Sequence, residues 1–453
     1  MCSKGNVLVS GVYMERKAIV RIEKLSQKGF GVAKIGARKV EIPGAIPGET
    51  VVVRLGRKKL GYIVKFIEKS SRRTVPVCPH TYRCGGCLWQ DIKYDEQLRL
   101  KQSMLQQIYS CIEGSFEIRK MLPSPQIFGY RGKMEFVFAE GSSGLALGLR
   151  EYGYFDRVVD IQACWLQPLE ANKALLEFKT KLNILGYSPY NIYTHRGFLR
   201  YLVIRTSSYN EEVLVNIITT SQGGRDRPKL DFEFLLDETI ASTVIWSVND
   251  SLADVARGEI RQVYGRGYLI EESLGFKFKV CPFCFYQSNP NQAKILFRLA
   301  KELGGEGEVA LDLYSGIGTI AIIVSENFEK VVGIEIEEHS IKVAKENAKM
   351  NDVHNVEFFV GKVEEELGKI SESFSKVDTI FLDPPRSGIH KNVRKMLAKI
   401  KPERIVYISC NPRTQADDID YLIHSGYRLV VVQPVDMLPH TPHIETVALL
   451  EKD

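Results

Sequence analysis

The alternation of apolar and polar positions divides the chain into stretches of different rhythm. From Ala18 to Glu68, short β-rich runs (AIVRIEKL, GVAKI, KVEIPG, TVVVRL, GYIVKFIE) are broken by Gly and Pro about every ten residues, which predicts a small closed or nearly closed β-barrel. Lys28-Gly29-Phe30-Gly31, Arg38-Lys39 and Arg57-Lys58-Lys59 fall at or near its turns. Between Tyr94 and Ile112, Leu98, Leu100, Met104, Leu105 and Ile108 recur at helical spacing and predict one amphipathic helix. From Ile127 to Val280 the runs KMEFVFA, LALGLR, LRYLVIRTS, EVLVNIITT and STVIWSVND predict a largely antiparallel sheet, with a helix near Leu169 to Leu185. The last third alternates strand and helix: VALDLYSG, KVVGIEIE, VEFFVG, TIFLDPPRSG, RIVYISCNP, RLVVVQPVDMLP and TVALLEK are the strands. That rhythm predicts an α/β domain with a parallel, doubly wound sheet that binds ligands at the carboxyl ends of its strands.

These rhythms suggest three domains: a barrel over 1–70, a central α+β domain over 71–280, and an α/β domain over 281–453. The helical segment within 93–122 is expected to pack on the last of these.

Charge separates the barrel from the rest. Residues 1–70 hold fifteen Lys and Arg against five Glu, a net +10, while the whole chain of 453 residues is only +6. A basic module on a near-neutral body suits a polyanion, because lysines and arginines that neutralise phosphates release condensed counterions. The chain opens Met-Cys-Ser-Lys-Gly-Asn, without an apolar run of signal-peptide length, and no stretch approaches the ~20 apolar residues of a membrane span. A cytoplasmic location is expected, and no membrane partner. In a reducing compartment, nine cysteines read as metal ligands or catalytic groups rather than a disulfide framework.

Chemistry concentrates at strand exits of the last third. Val309 to Leu313 runs into Tyr314-Ser315-Gly316-Ile317-Gly318-Thr319, where two glycines allow a tight turn and close approach to a ligand. The next strand ends in Glu335, positioned to accept hydrogen bonds from both ribose hydroxyls of an adenosine cofactor. The third glycine that admits a pyrophosphate is missing, and Asp383-Pro384-Pro385-Arg386 looks like the D/N-P-P segment of methyltransferases acting on planar bases. Both details favour S-adenosylmethionine over a dinucleotide. Arg404 to Ile408 leads into Ser409-Cys410-Asn411-Pro412, which puts a thiol in the same crevice. Carbon 5 of uracil is too weak a nucleophile to take a sulfonium methyl unaided. A thiolate added to carbon 6 makes it an enolate, and a base must then remove the carbon-5 proton.

Ser409-Cys410-Asn411-Pro412, together with Asp436-Met437-Leu438-Pro439-His440-Thr441-Pro442-His443-Ile444-Glu445, resembles the RNA uridine-5-methyltransferase family. The resemblance extends over nearly the whole chain, with the basic barrel similar to a TRAM domain, an RNA-binding relative of the OB-fold. It implies that Cys410 is the nucleophile and Glu445 the base, that Gln287, Tyr314, Gly316, Glu335 and Asp383 line the cofactor and base pocket, and that Phe285 packs near a flipped base. Thr319, where the family often has Asn, enters as a weaker cofactor candidate. Lys362, where the family often has Asn or Asp, does not. His440 and His443 are open to either a structural or a proton-carrying role.

Cys78-x5-Cys84-x2-Cys87 brings three thiols within ten residues around Gly85-Gly86, a metal-binding pattern whose spacing alone does not separate zinc from iron–sulfur. The resemblance implies a [4Fe–4S] cluster with Cys164 as fourth ligand. Cys281-x2-Cys284 is a rival for that position, or a pair of packed thiols. Structured RNA is the expected partner, with 23S ribosomal RNA favoured over transfer RNA, and the chain is expected to act as a monomer. Two other classes remain open: a redox or radical iron–sulfur enzyme carrying an RNA-binding domain, and a non-catalytic RNA-binding protein. Against the first, the C-x3-C-x2-C spacing of radical S-adenosylmethionine enzymes is absent.

Overall fold

A computed structural model of the chain describes residues 17–56, 59–142, 144–221 and 229–453. Arg57 and Lys58, two of the basic turn residues, lie outside the described residues. The chain forms two units, Met1–Thr74 and Val75–Asp453.

In the first unit, β1 (Lys17–Arg21), β2 (Lys24–Leu25), β3 (Gly31–Ile35), β4 (Arg38–Ile42), β5 (Thr50–Leu55) and β6 (Gly61–Glu68) form two three-stranded sheets, β1-β5-β6 and β2-β3-β4. A bridge between Glu41 and Leu60 connects them. Val20, Ile22, Ala33, Val40, Ile42, Val51 and Val53 fill the shared core. Val51 and Val53 both point inward because side chains along a strand alternate faces. Arg73 closes one end with a buried ion pair to Glu49 at 2.7 Å.

The second unit begins with α1 (Tyr94–Tyr109), followed by β7 (Glu117–Ile118). The helix is shorter than the 93–122 segment expected: it stops at Tyr109, and Gly114, at φ 100°, precedes the turn into β7. Next come β8 (Lys133–Gly141), β9 (Gly144–Arg150), β10 (Val158–Asp160), α2 (Leu169–Ile184), β11 (Leu199–Thr206), β12 (Val213–Thr219), α3 (Phe232–Leu236), β13 (Thr243–Val248) and β14 (Glu259–Tyr264). Their strands form one sheet, ordered β10-β9-β8-β11-β12-β13-β14, antiparallel except for the β12–β13 pair. A hairpin of β15 (Leu269–Ser273) and β16 (Phe276–Val280) leads into the last part.

That part comprises α4 (Pro290–Gly304), β17 (Gly307–Leu313), α5 (Thr319–Val324), β18 (Phe328–Glu335), α6 (Glu338–Met350), β19 (Val356–Val360), α7 (Val363–Ser371), β20 (Thr379–Leu382), α8 (Lys391–Ile400), β21 (Arg404–Ser409), α9 (Pro412–Ile423), β22 (Tyr427–Val435) and β23 (Glu445–Lys452). The sheet order is β19-β18-β17-β20-β21-β23-β22-β7. The expected α/β sheet is therefore present, with one departure from all-parallel pairing: β23 inserts antiparallel between β21 and β22. The loop from 436 to 444 explains this, since parallel neighbours need a crossover of about a dozen residues or more and a shorter link reverses the chain. Strand order turns around between β17 and β20, which opens a crevice at their carboxyl ends. Among the described residues, no helix is long and apolar enough to cross a membrane.

Candidate active site

The crevice is built first by the turn after β17. Tyr314 (φ 67°), Gly316 (φ 54°) and Gly318 (φ 80°) all adopt left-handed backbone. This is strained for the tyrosine and concentrates where a ligand fixes the shape. At Gly318 an added Cβ would lie 2.6 Å from the Phe358 ring, so only glycine fits, whereas Gly316 faces open space. The Ser315 amide donates to the Ile334 carbonyl at 3.0 Å, tying the turn to the end of β18. There Glu335 accepts from the amides of Gly316 (3.1 Å) and Glu337 (3.0 Å). Thr319 is buried at the start of α5. Gln287 is buried in the loop after β16, while Phe285 in the same loop is 67% exposed, its ring free to meet a ligand. Lys362 lies apart, exposed and paired with Glu365 at 2.8 Å.

Asp312 and Ser315 were not among the residues picked from the sequence. Asp312 is fully buried, with one carboxyl oxygen accepting from the Ala321 amide at 2.9 Å and the other without a partner, as is the Ser315 hydroxyl. Burial pushes Asp312 up to about 8, against the Ala321 hydrogen bond. Unpartnered buried oxygens beside a strained glycine turn are what a polar small molecule would satisfy. The signal in the sequence was the Asp two residues before Tyr314.

The second wall carries the thiol. Ser409 pairs with Thr446 as the last step of the β21–β23 ladder, so Cys410, just past the end of β21, and Glu445, the first residue of β23, leave that step side by side, close enough for the Glu445 charge to act on the thiol. Beyond Ser409 the chain turns into α9, whose first residue is Pro412. Asn411 anchors this turn by donating to the Arg386 carbonyl at 2.9 Å. Burial raises the Cys410 thiol, the Glu445 charge adds to this, and Arg386 opposes both by charge and by a hydrogen bond. Glu445 is buried and pushed up to about 8, by burial first and then by Asp383, with Arg386 opposing. Burial likewise raises Asp383 above the ordinary carboxylate range. Arg386 thus lies close to both Cys410 and Glu445. It was visible in the sequence only as the residue after Asp-Pro-Pro.

The loop delivering Glu445 is held by α1. Lys101 and Asp436, both fully buried, pair at 2.5 Å. The Tyr94 hydroxyl donates to the other Asp436 oxygen at 2.7 Å, and Lys101 also donates to the Leu438 carbonyl at 3.2 Å. Gln97 accepts from the His440 amide at 2.8 Å and meets its ring at 3.1 Å, and Phe128 stacks on that ring. Burial lowers both His440 and His443 to about 4, so at neutral pH they are uncharged and poor proton carriers.

Cys78, Cys84, Cys87 and Cys164 line one further cavity, together with the apolar Leu149, Ile161 and Leu166. All four thiols are free. The Cys84 amide donates to His80 O at 2.9 Å, and Cys84 forms a β-bridge with Glu151. Cys164 is fixed by Asn172, whose side chain accepts from its amide at 2.7 Å and donates to its carbonyl at 3.1 Å. Burial raises Cys84 to about 11, and it raises Cys87 and Cys164 as well; charge on neighbouring thiols adds to each. Buried thiols in one cavity, whose ionised forms would repel one another, suit a donor set made for a cationic centre. Cys281 and Cys284 are elsewhere, joined to each other in the core that flanks β17.

A strand order β19-β18-β17-β20-β21-β23-β22, a glycine turn after β17 and an acid ending β18 define an S-adenosylmethionine-dependent methyltransferase. A family model described as tRNA (Uracil-5-)-methyltransferase matches residues 260–453, and one for the TRAM domain of tRNA (uracil(54)-C(5))-methyltransferase matches residues 19–70. An uncharacterized RNA methyltransferase of Caldanaerobacter subterraneus is 38% identical over 96% of this chain and 98% of its own length. The tRNA (uracil(54)-C(5))-methyltransferase of Pyrococcus abyssi is 35% identical over 95% of this chain and 99% of its own. The crystal structure of that Pyrococcus enzyme with S-adenosyl-L-homocysteine superposes with a TM-score of 0.78 at 32% identity, covering 96% of this chain and 100% of the other. The chain belongs to the RNA (uracil-5-)-methyltransferase family and is an S-adenosylmethionine-dependent enzyme carrying a TRAM domain.

Proposed function

We propose that this enzyme methylates carbon 5 of a uridine in transfer RNA, with Cys410 as nucleophile and Glu445 as base. The observation that carries the chemistry is the end of the β21–β23 ladder at Ser409 and Thr446, which brings Cys410 and Glu445 together beside Arg386. Bound S-adenosylmethionine supplies an electrophilic methyl group. Gln287, Tyr314, Gly316, Thr319, Glu335 and Asp383, with Asp312, hold and orient it, and Phe285 covers the flipped base. Flipping costs a few kcal/mol, partly returned by aromatic contact. The Cys410 thiolate, favoured by Arg386, adds to carbon 6 and drives electron density to carbon 5. Once carbon 5 has taken the methyl group, Glu445 removes its remaining hydrogen as a proton. The electron pair left behind re-forms the 5,6 double bond as the carbon–sulfur bond breaks, returning the thiolate to Cys410.

Transfer RNA replaces the ribosomal RNA favoured by the sequence reading. The Pyrococcus abyssi relative is named for transfer RNA, and the resemblance to it runs through both the barrel and the catalytic domain. Cys78, Cys84, Cys87 and Cys164 are proposed to hold a [4Fe–4S] cluster, because all four free thiols line one cavity and the family resemblance carries that cluster on the same four positions. The methylation chemistry needs no electron from it, so its role is structural. One chain holds every group named, which supports a monomer.

The test is a trapping experiment on an unmodified transfer RNA transcript, with a 23S ribosomal RNA fragment in parallel. Glu445→Gln should attack and methylate but fail to release, leaving a denaturant-resistant RNA–protein band labelled from S-adenosylmethionine. Cys410→Ala, alone or combined with Glu445→Gln, should give no band and no turnover. Substantial activity in Cys410→Ala would refute the mechanism. Labelling of the ribosomal fragment alone would refute the substrate.

A further inference from the structure

Cys281, Cys284 and His339 have no part in the reaction above, yet their ligand atoms all lie within 4.8 Å of one another. We propose that these three residues form a second metal site that takes a thiophilic divalent cation, zinc above all, separate from the four-cysteine cavity.

Three features of the chain support it. Cys281-Pro282-Phe283-Cys284 forms a tight reverse turn in which the Cys284 amide donates to the Cys281 carbonyl at 3.2 Å and the two Cα atoms are 5.1 Å apart. That turn brings both sulfurs to one side, and a Cys-x2-Cys pair completed by a distant histidine is a common zinc donor set. The sulfurs are buried while His339, in the first turn of α6, is exposed, so an ion has an entry path and a solvent-facing fourth position. A bond of ~2.3 Å to each sulfur and ~2.0 Å to nitrogen requires ligand separations of about 3.4–3.8 Å, so once the pair is reduced the two sulfurs have to move apart to that distance and the histidine nitrogen, within 4.8 Å, has to close on them.

The structure joins the two sulfurs as a disulfide, and that is the rival state. It leaves the histidine without a role, and the six other described cysteines are all free thiols. With both thiols reduced, the same turn and the same histidine make a three-donor cation site.

The site's place in the fold gives it a consequence. The 281–287 loop also carries Phe285 and Gln287, and the buried Arg205 holds its Pro282 and Cys284 carbonyls at 3.3 and 2.5 Å. His339 lies four residues beyond Glu335. An ion bridging the two would tie the base-covering loop to the strand end proposed to hold the ribose, fixing both sides of the pocket.

The test is metal analysis of the full-length protein, purified anaerobically with a thiol-free reductant, supplied with stoichiometric zinc chloride and gel-filtered. Wild type should hold one zinc per chain in addition to iron. Cys281→Ser/Cys284→Ser should lose that zinc and keep the iron, whereas Cys84→Ser should lose iron and keep the zinc. His339→Ala, a surface change, should fold normally and release zinc to a chelator faster. If the four-cysteine cavity itself holds zinc, wild type carries two and each variant removes one, so the two assignments fail independently. The proposal is overturned if reduced wild type retains no zinc outside the four-cysteine cavity, if Cys281→Ser/Cys284→Ser retains it, if His339→Ala releases it no faster, or if mass analysis finds the pair still oxidised under reductant.

Discussion

Replacing Lys101 with Met removes the ammonium from a pair that no water reaches. Asp436 then keeps only the Tyr94 hydroxyl, a neutral donor at 2.7 Å, and the Leu438 carbonyl loses its Lys101 contact. Burial already works against the Lys101 charge, and only Asp436 counters it. Such a pair adds little beyond an apolar equivalent, but breaking it strands a buried carboxylate, at a cost of about 3–5 kcal/mol. Lys101→Met should lose that much in urea unfolding. Lys101→Met/Asp436→Leu, which removes both charges, should return to within about 2 kcal/mol of wild type. Because Asp436 opens the loop that ends at Glu445, the single variant should also resolve its RNA adduct more slowly than it forms it, as followed by quenched-flow with denaturing gels. A single variant costing less than about 1 kcal/mol would place the pair with exposed ion pairs and refute the reasoning. So would a double variant no more stable than the single.

Other consequences are open to direct measurement. Glu445, raised to about 8, and Asp312, also about 8, bind protons in the folded state that the unfolded chain releases near ~4.3 and ~3.9, so stability of the ligand-free protein should fall as pH rises from there to about 8. Stability constant or rising from pH 5 to 8 (roughly the span between those values) in urea titrations would contradict this. Resolution of the adduct, which needs ionised Glu445, should speed up as pH rises in single-turnover kinetics, with a midpoint below the value of about 8 that Glu445 has in the free protein. The anaerobically purified protein should be brown, and Cys84→Ser should bleach it; a colourless wild type with stoichiometric zinc in that cavity would exclude the cluster. Removing residues 1–74 should weaken RNA binding and flatten its salt dependence, since the slope follows the number of phosphates neutralised. An unchanged slope would mean that the barrel does not touch the backbone.

Local rules made much of this legible in the sequence. Alternating β and α runs identified the sheet, and polar residues at strand exits marked Tyr314, Glu335, Asp383 and Cys410, because in this fold a strand's carboxyl end is where a ligand sits. Pairings between distant segments were not legible. That Glu445 lies beside Cys410 depends on β23 entering antiparallel next to β21, and no periodicity in TVALLEK reports which strand it will join. The embrace of loop 436–444 by α1 was equally hidden: Lys101 reads as one more cation on a helix, and only the fold shows it wholly buried against Asp436. Arg386 and Asp312 were overlooked for a related reason. Each stands beside a recognised motif, and its importance comes from what faces it across the crevice.

The charges around Cys410 indicate how one site can require both a thiolate and a carboxylate. In the free protein the two oppose each other, since an ionised Glu445 raises the thiol, and Arg386 is the cation that favours either. Neighbouring groups of like charge titrate together, so Cys410 and Glu445 do not readily ionise at the same time, the more so with Asp383 beside them. On the proposed mechanism the site never needs both charges together. When Cys410 bonds to carbon 6 its charge passes into the uracil ring and is neutralised as the methyl group arrives. The sulfur is then an uncharged thioether, and Arg386 faces Glu445 alone. The carboxylate form is therefore favoured at the stage when the carbon-5 proton has to leave.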